Sequence, residues 1–382
     1  MNKKITLFVL LAFSLTFTYA QTQLSLAQAL TKAKKENKLV FIDCYFTGCF
    51  PCEQMDKDVF PNTAVVKVLD KDFITLKVNV FTEKLGDTLK MQHILNGFPT
   101  FLVLNGDGKL VTNTSGYKDP GDLITLLLEA KAKATKGAYL TGYTTQNAEA
   151  AYPSIYTEFA KTRKGLTKEV LATYSETIKD FKANYALLPF LAARTTNDLV
   201  SKAILKDYAG FEAAYGTEVL QPVVDRILVE SVDENLNANT TTKDFENFLN
   251  EKQKLFPSNQ WKIALQTIGG HYFLGIKKDT TAYLKFQVKN PIIHQYHFNA
   301  LYNNMLAKKQ LNPERLSLFI AWANASITTS TTMEIINSAA SLSKAAGSTS
   351  DYRKFIQMAI DKAKKYQMPY AELEERLNKV SK

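Results

Sequence analysis

The spacing of apolar residues changes character once along this chain, and the change limits what each part can build. From Ser25 to about Ala134, helical and strand spacings alternate; from about Gly137 to Lys382 almost no strand pattern remains. Leu39–Tyr45 is apolar throughout except for Asp43, as expected of a central strand buried on both faces. Phe73–Val80 predicts a second strand. Thr100–Leu104 and Leu110–Thr114 predict two more, joined as a hairpin by Asn105-Gly106-Asp107-Gly108. Helices are predicted over Ser25–Asn37, Cys52–Phe60, Thr63–Asp70, Leu85–Leu95 and Asp119–Lys133, the last with Leu123, Leu126, Leu127 and Ala130 on one face. That order predicts an α/β fold with a central mixed sheet flanked by helices.

The rest of the chain reads as helix after helix. Thr167–Tyr185, Asn197–Tyr215, Val219–Leu236, Thr242–Leu255, Asn299–Lys309 and Pro313–Ile327 all carry amphipathic spacing. Thr332–Ala346 and Asp351–Tyr366 form the clearest pair, joined by Gly347-Ser348. Such pairs predict an all-α helical-repeat or bundle domain, tetratricopeptide-like among the options, although no consensus recurs at a fixed period. The expected division is therefore a leader over 1–20, an α/β domain over 21–136 and an α-helical domain over 137–382.

The leader is expected from Lys3 and Lys4, the apolar run Ile5–Phe17 and the small residue Ala20 before Gln21, the layout of a cleavable signal peptide. The run is shorter than the ~20 residues a membrane helix needs, so no membrane span is expected after cleavage, and the mature chain is expected to be periplasmic or secreted. Of the 382 residues, 46% are hydrophobic and 11% aromatic, which argues for packed cores and against disorder. The net charge of +10 is spread among acidic residues rather than clustered, so no nucleic-acid partner is expected.

Cysteine usage carries the chemistry. There are three: Cys49 and Cys52 lie one helical turn apart, and Cys44 lies inside the first predicted strand. An exported chain that used disulfides as staples would spread an even number widely, so this economy points to reactivity. Cys49 falls between a strand and a helix, where unpaired first-turn amides favour an anion, so its thiol is expected to ionise more readily than a free cysteine. Cys52 can reach back, which makes Cys49 the attacking and Cys52 the resolving thiol of a pair cycling between dithiol and disulfide. Pro51 stiffens the turn and has no amide hydrogen to leave unpaired. Zinc also uses this spacing, but it needs further ligands; Cys44 is poorly placed, and His294 and His297 have no accompanying framework, so no metal and no cofactor are expected. Asp43 is costly in an apolar strand unless it has a role or a partner; it is either a structural polar residue or, as expected here, a proton acceptor for Cys52, its pKa raised by burial and partly offset by Lys77. Cys44, turned to the opposite face, is expected to be inert core.

Leu39-Val40-Phe41-Ile42-Asp43, Cys49-Phe50-Pro51-Cys52, Met55, Phe98-Pro99-Thr100-Phe101 and Gly116 together resemble the thioredoxin-like superfamily over residues 24–134. The stretch from Asp58-Val59-Phe60 to Lys77-Val78-Asn79-Val80 is most similar to the subgroup containing the C-terminal periplasmic domain of the transmembrane thiol reductase DsbD. The resemblance implies a thioredoxin fold in which Asp43 is the buried carboxylate beneath the site, Lys77 is its lysine partner, and Pro99 is a cis-proline that grips extended substrate backbone beside Phe98. Three positions depart from the family pattern: Gly48 stands where tryptophan is usual, Phe50 where glycine is commoner and Glu53 where many members have lysine. Phe50 adds apolar surface beside the reactive sulfur, so the substrate is not expected to match that of a general cytosolic thioredoxin.

The expected function is an exported thiol–disulfide oxidoreductase, reductase- or isomerase-like, acting on protein thiols and disulfides with an upstream electron donor or acceptor protein. The alternative is a non-catalytic binding or scaffold protein in which both domains dock partners.

Overall fold

A computed structural model describes residues 24–143, 152–183, 185–307 and 312–379. The expected signal segment lies outside them. Helix α1 (Leu26–Glu36) starts where Ser25 and Gln28 form a reciprocal capping box. Strand β1 (Leu39–Tyr45) follows, then α2 (Phe50–Gln54), which runs on through a π turn at Met55–Val59. Helix α3 (Thr63–Asp72) opens on the Asn62 side chain, which accepts from the Ala64 amide at 2.9 Å, and leads into β2 (Phe73–Asn79). Helix α4 (Lys84–Gln92), the hairpin β3 (Thr100–Leu104) and β4 (Leu110–Ser115), and α5 (Pro120–Thr135) complete this part.

The sheet order is β2-β1-β3-β4, with β2 parallel and β3 antiparallel to β1, and β4 antiparallel to β3. Side chains alternate across β1, so Leu39, Phe41 and Asp43 share one face while Val40, Ile42 and Cys44 share the other. The first face packs Phe41 with Phe101, Met55, Val65 and Leu123 beneath α2, α3 and α5. The second packs Val40, Ile42 and Cys44 with Ala29, Ala33 and Leu89, and its core runs without a break into the helices that follow.

Those helices are α6 (Ser154–Thr162), α7 (Lys168–Thr177), α8 (Leu188–Ala193), α9 (Asp198–Lys206), α10 (Tyr208–Tyr215), α11 (Thr217–Asn235), α12 (Thr242–Gln253) and α13 (Ser258–Gly269). Helices α14 (Thr280–Lys289), α15 (Gln295–Ala307), α16 (Pro313–Ser326), α17 (Met333–Ala345), α18 (Thr349–Lys365) and α19 (Ala371–Asn378) enclose a further core around Phe298, Phe319 and Phe355. The expected α/β fold followed by a largely helical region is what the chain adopts. Among the described residues, no helix is long and apolar enough to cross a membrane.

Several boundaries differ from the sequence reading. The helix expected to reach Leu95 stops at Gln92, where His93 turns to an extended backbone (φ −133°, ψ 149°), and the carbonyls beyond it accept from the Asn113 side-chain amide (Ile94, 3.1 Å), Arg163 (Leu95, 3.3 Å) and Arg194 (Asn96, 2.7 Å). The helix expected over Asn197–Tyr215 is split at Asp207, whose carboxylate caps α10 by accepting from the Gly210 amide at 3.1 Å. The one expected over Thr167–Tyr185 ends at Thr177, where the Ser175 and Thr177 hydroxyls donate back to carbonyls of the preceding turn. Of the helix expected over Asn299–Lys309, the segment past Ala307 lies outside the described residues.

The helical region grips the sheet domain at both ends of β4 and at α5. Glu218 on α11 accepts from the Ser115 amide (3.3 Å), and the Leu140 amide donates to the Leu110 carbonyl (2.8 Å). On α18, the buried ammonium of Lys362 lies 3.2 Å from Asp119 and 3.1 Å from Asp122 and donates to the Thr331 carbonyl at 2.8 Å. Asp119 also accepts from the Met333 amide at 3.1 Å.

Candidate functional site

β1 delivers the chain to the edge of the sheet where the two cysteines sit. After Tyr45 the backbone turns through Phe46–Gly48, with Gly48 at φ +87°, a left-handed conformation that suits glycine and excludes the family's usual tryptophan without strain. Cys49 is extended and occupies the N-cap of α2. Its sulfur takes the place an oxygen cap would hold, accepting from the Cys52 amide at 3.3 Å. Pro51 lies within the first turn, where no amide donor is missed. Cys49 and Cys52 are joined as a disulfide with an S–S distance of 2.01 Å and Cα atoms 5.2 Å apart, and both residues are buried at 3% exposure.

Beneath the helix lies Asp43, also 3% exposed, with Oδ1 unpartnered among the described residues. Burial pushes its carboxyl up to about 7; Lys77 pulls it down and Asp56 pushes it up. Lys77 sits opposite Asp43 in the β1–β2 register, as the resemblance implies, yet its ammonium is 4.0 Å from Asp43. Its closer partner is Asp56, one turn beyond Cys52, and it also lies over the Tyr45 ring at 4.7 Å from the centroid. The expected Asp43–Lys77 pair is thus a triad whose lysine is drawn toward Asp56. Sequence reasoning missed Asp56; its position four residues after Cys52, on the same helical face, was the available signal. Cys44 is fully buried on the other face of β1, and burial, with Asp43 nearby, pushes its thiol well up.

The far wall is the start of β3. The Phe98–Pro99 peptide is cis, and the Pro99 carbonyl accepts from the Gly116 amide at 2.8 Å. Thr100 pairs with Cys44, so Pro99 lies beside the end of the strand that feeds Cys49. Phe98 is half-buried, packing edge-on against Phe46 at 5.1 Å and tilted against Phe81 at 5.9 Å, whereas Phe50 is 68% exposed. The loop after β4 returns to the same region, where the Lys118 amide donates to Met55 Sδ at 3.5 Å.

A family model described as a thioredoxin-like domain matches residues 26–131. Residues 26–131 are a thioredoxin-like domain. Within it, the thiol:disulfide interchange protein DsbD of Salmonella typhi is 33% identical over 96 residues, covering 25% of this chain and 16% of that protein. Spermatogenesis-associated protein 20 of Homo sapiens is 35% identical over 52 residues, 14% of this chain and 7% of that protein. An uncharacterized protein, B0495.5, of Caenorhabditis elegans is 30% identical over 100 residues, 25% of this chain and 14% of that protein. The chain thus spans less than a fifth of the length of each of these relatives. The thioredoxin-like domain and its close cysteine pair support a thiol–disulfide oxidoreductase role. Among the described residues, no group of three or more His, Cys, Asp or Glu is placed to hold a metal ion. His294 and His297 lie half-buried with rings 4.4 Å apart, and His297 Nδ1 is 3.1 Å from the Tyr283 hydroxyl.

Proposed function

We propose that this chain is an exported thiol–disulfide oxidoreductase acting on protein substrates in a reductase- or isomerase-like sense. In this reading residues 21–136 form the redox unit and 137–382 the unit that selects a partner. The reduced form begins the cycle. The Cys49 thiolate, favoured by the Cys52 amide and the start of α2, attacks one sulfur of a substrate disulfide, and the other sulfur leaves as a thiolate. Cys52 then gives its proton to Asp43 and attacks Cys49 Sγ, releasing the second substrate sulfur and forming the Cys49–Cys52 disulfide. Two electrons have passed to the substrate, and a dithiol donor protein restores the pair. Pro99 and Phe98 hold the substrate backbone beside the sulfurs, and Phe50 and Pro51 meet it from the helix side.

The observation that carries this reading is a cysteine pair at a helix start, together with a buried carboxylate, pushed up to about 7, near the end of the strand that leads to it. Pro51 between the cysteines favours the reducing sense over strong oxidation. Reduction of insulin by wild type and by Cys49→Ser tests it; equal background rates for both would leave the scaffold reading in possession. The Cys52→Ser variant is expected to hold the natural substrate as a stable mixed disulfide. Periplasmic or secreted placement rests on the N-terminal segment, and mass spectrometry of the mature protein is expected to find Gln21 at its start.

A further inference from the structure

The sheet order sets four loops side by side along the edge that carries the disulfide: Phe81 follows β2, Phe46 follows β1, Phe98 precedes β3 and Tyr117 follows β4. On the β2 side of Cys49, Phe46, Phe81 and Phe98 form one cluster with centroids 5.1–5.9 Å apart. Phe81 is 55% exposed there, although water-facing phenylalanine needs a reason when it recurs beside a reactive centre. On the β4 side, Tyr117 and Lys118 form the lip of a cleft of about 600 Å³ between α5 and the helical region. Glu129 on α5, Glu218 on α11 and Glu334 on α17 line it against one cation, Lys118, whose ammonium donates to the Ser115 carbonyl at 3.0 Å. Asp119 and Asp122, at its floor, are already matched by Lys362. An acidic cleft in a chain of net charge +10 runs against the character of the whole surface. The two features differ in chemistry, and Pro99 lies between them.

We propose that the redox site takes an extended polypeptide whose reacting cysteine has an aromatic or aliphatic residue on one side, seated on Phe46, Phe81 and Phe98, and lysine or arginine on the other, seated in the cleft between α5 and α17. This rests on the oxidoreductase reading above and names the substrate class for it. The apolar side supplies area, and the charged side supplies direction, because a peptide laid in reverse would bring its basic flank toward Lys90, whose ammonium already lies 5.2 Å from the Phe81 centroid, and away from the three glutamates. Both parts of the chain contribute to the charged side, so substrate choice depends on the helical region being docked.

The test uses the full chain and two fluorescent peptides with serine in place of the reacting cysteine, one flanked by Phe and Lys-Arg-Lys, the other with Glu-Asp-Glu replacing the basic flank. Fluorescence anisotropy at low salt is expected to show the basic peptide binding at least about tenfold more tightly, with the ratio shrinking as salt rises. The paired change Glu129→Gln and Glu334→Gln is expected to bring the ratio to about threefold or less, and Phe81→Ala to weaken both peptides alike. Equal binding of the two peptides by wild type, or a preference that survives the paired change, overturns the proposal. The same peptides carrying cysteine as a mixed disulfide with a chromogenic thiol separate the two readings. Thiol release without flank preference removes the substrate class and leaves the oxidoreductase; flank-selective binding without thiol release removes the oxidoreductase and leaves the surface.

Discussion

Asp43 shows how one side chain couples stability to chemistry. Its carboxyl titrates near 7 in the folded protein and near 4 in the unfolded chain, so between those values the folded state holds the extra proton. Its contribution is therefore most favourable below pH 4 and is lost as pH rises through 7. Asp43→Asn is expected to be more stable than wild type at pH 8, by on the order of a few kcal/mol, and little different at pH 4, as urea titrations at the two pH values would show. The same substitution should slow release of the mixed disulfide by about a hundredfold or more, read by stopped-flow kinetics, because in the proposed cycle Cys52 gives its proton to Asp43. Asp56 acts on this balance at one remove. Asp56→Asn removes a negative neighbour and frees Lys77 for Asp43, so the Asp43 titration, followed by NMR, should move to lower pH. The cysteine pair and Asp43 were legible in the sequence because each breaks its local pattern, and Pro99 because it matches the position of the family's cis-proline, which the Phe98–Pro99 peptide is. Asp56 was not read, because its spacing from Cys52 places it on that face of the helix but does not show that Lys77 on β2 turns to meet it.

At the scale of elements, the glycines separate two kinds of constraint. Gly48 needs its left-handed φ but has open space around it, so Gly48→Ala should cost only about 1 kcal/mol of backbone strain. Gly86 on α4 has ordinary dihedrals, yet a Cβ there would sit 2.4 Å from the Val80 Cα, backbone against backbone. Gly86→Ala should cost several times as much, with denaturant midpoints giving the comparison. The strands were the most readable elements: β1 is an unbroken apolar run, and the β3–β4 turn carries its own glycines. Helix ends were less so. The Asp207 break is a local cap on the Gly210 amide, whereas the segment after α4 is held by partners far away in sequence. Of the helices missed, α8 and α13 bury most of their residues and so blur the helical period, while α6 and α19 are short and bury only one or two residues each.

Across the whole molecule, Lys362 is the residue on which the docking of the two parts turns. Removing it would strand Asp119 and Asp122 in a buried interface, so Lys362→Met is expected to cost about 3 kcal/mol or more. Calorimetry should then show unfolding that is broader than wild type, or split, as the helical region loosens from α5. Thermal unfolding identical to wild type would mean that the pair contributes nothing to docking. The side of the sheet bearing Val40, Ile42 and Cys44 packs on α1 and α4, and that core continues without a break into α6–α13. A fragment ending after α5 would therefore carry a bared greasy flank and a ragged last strand, and would clump in solution. The thioredoxin-like part and the helices after it therefore share one hydrophobic core, and their folding is expected to be coupled.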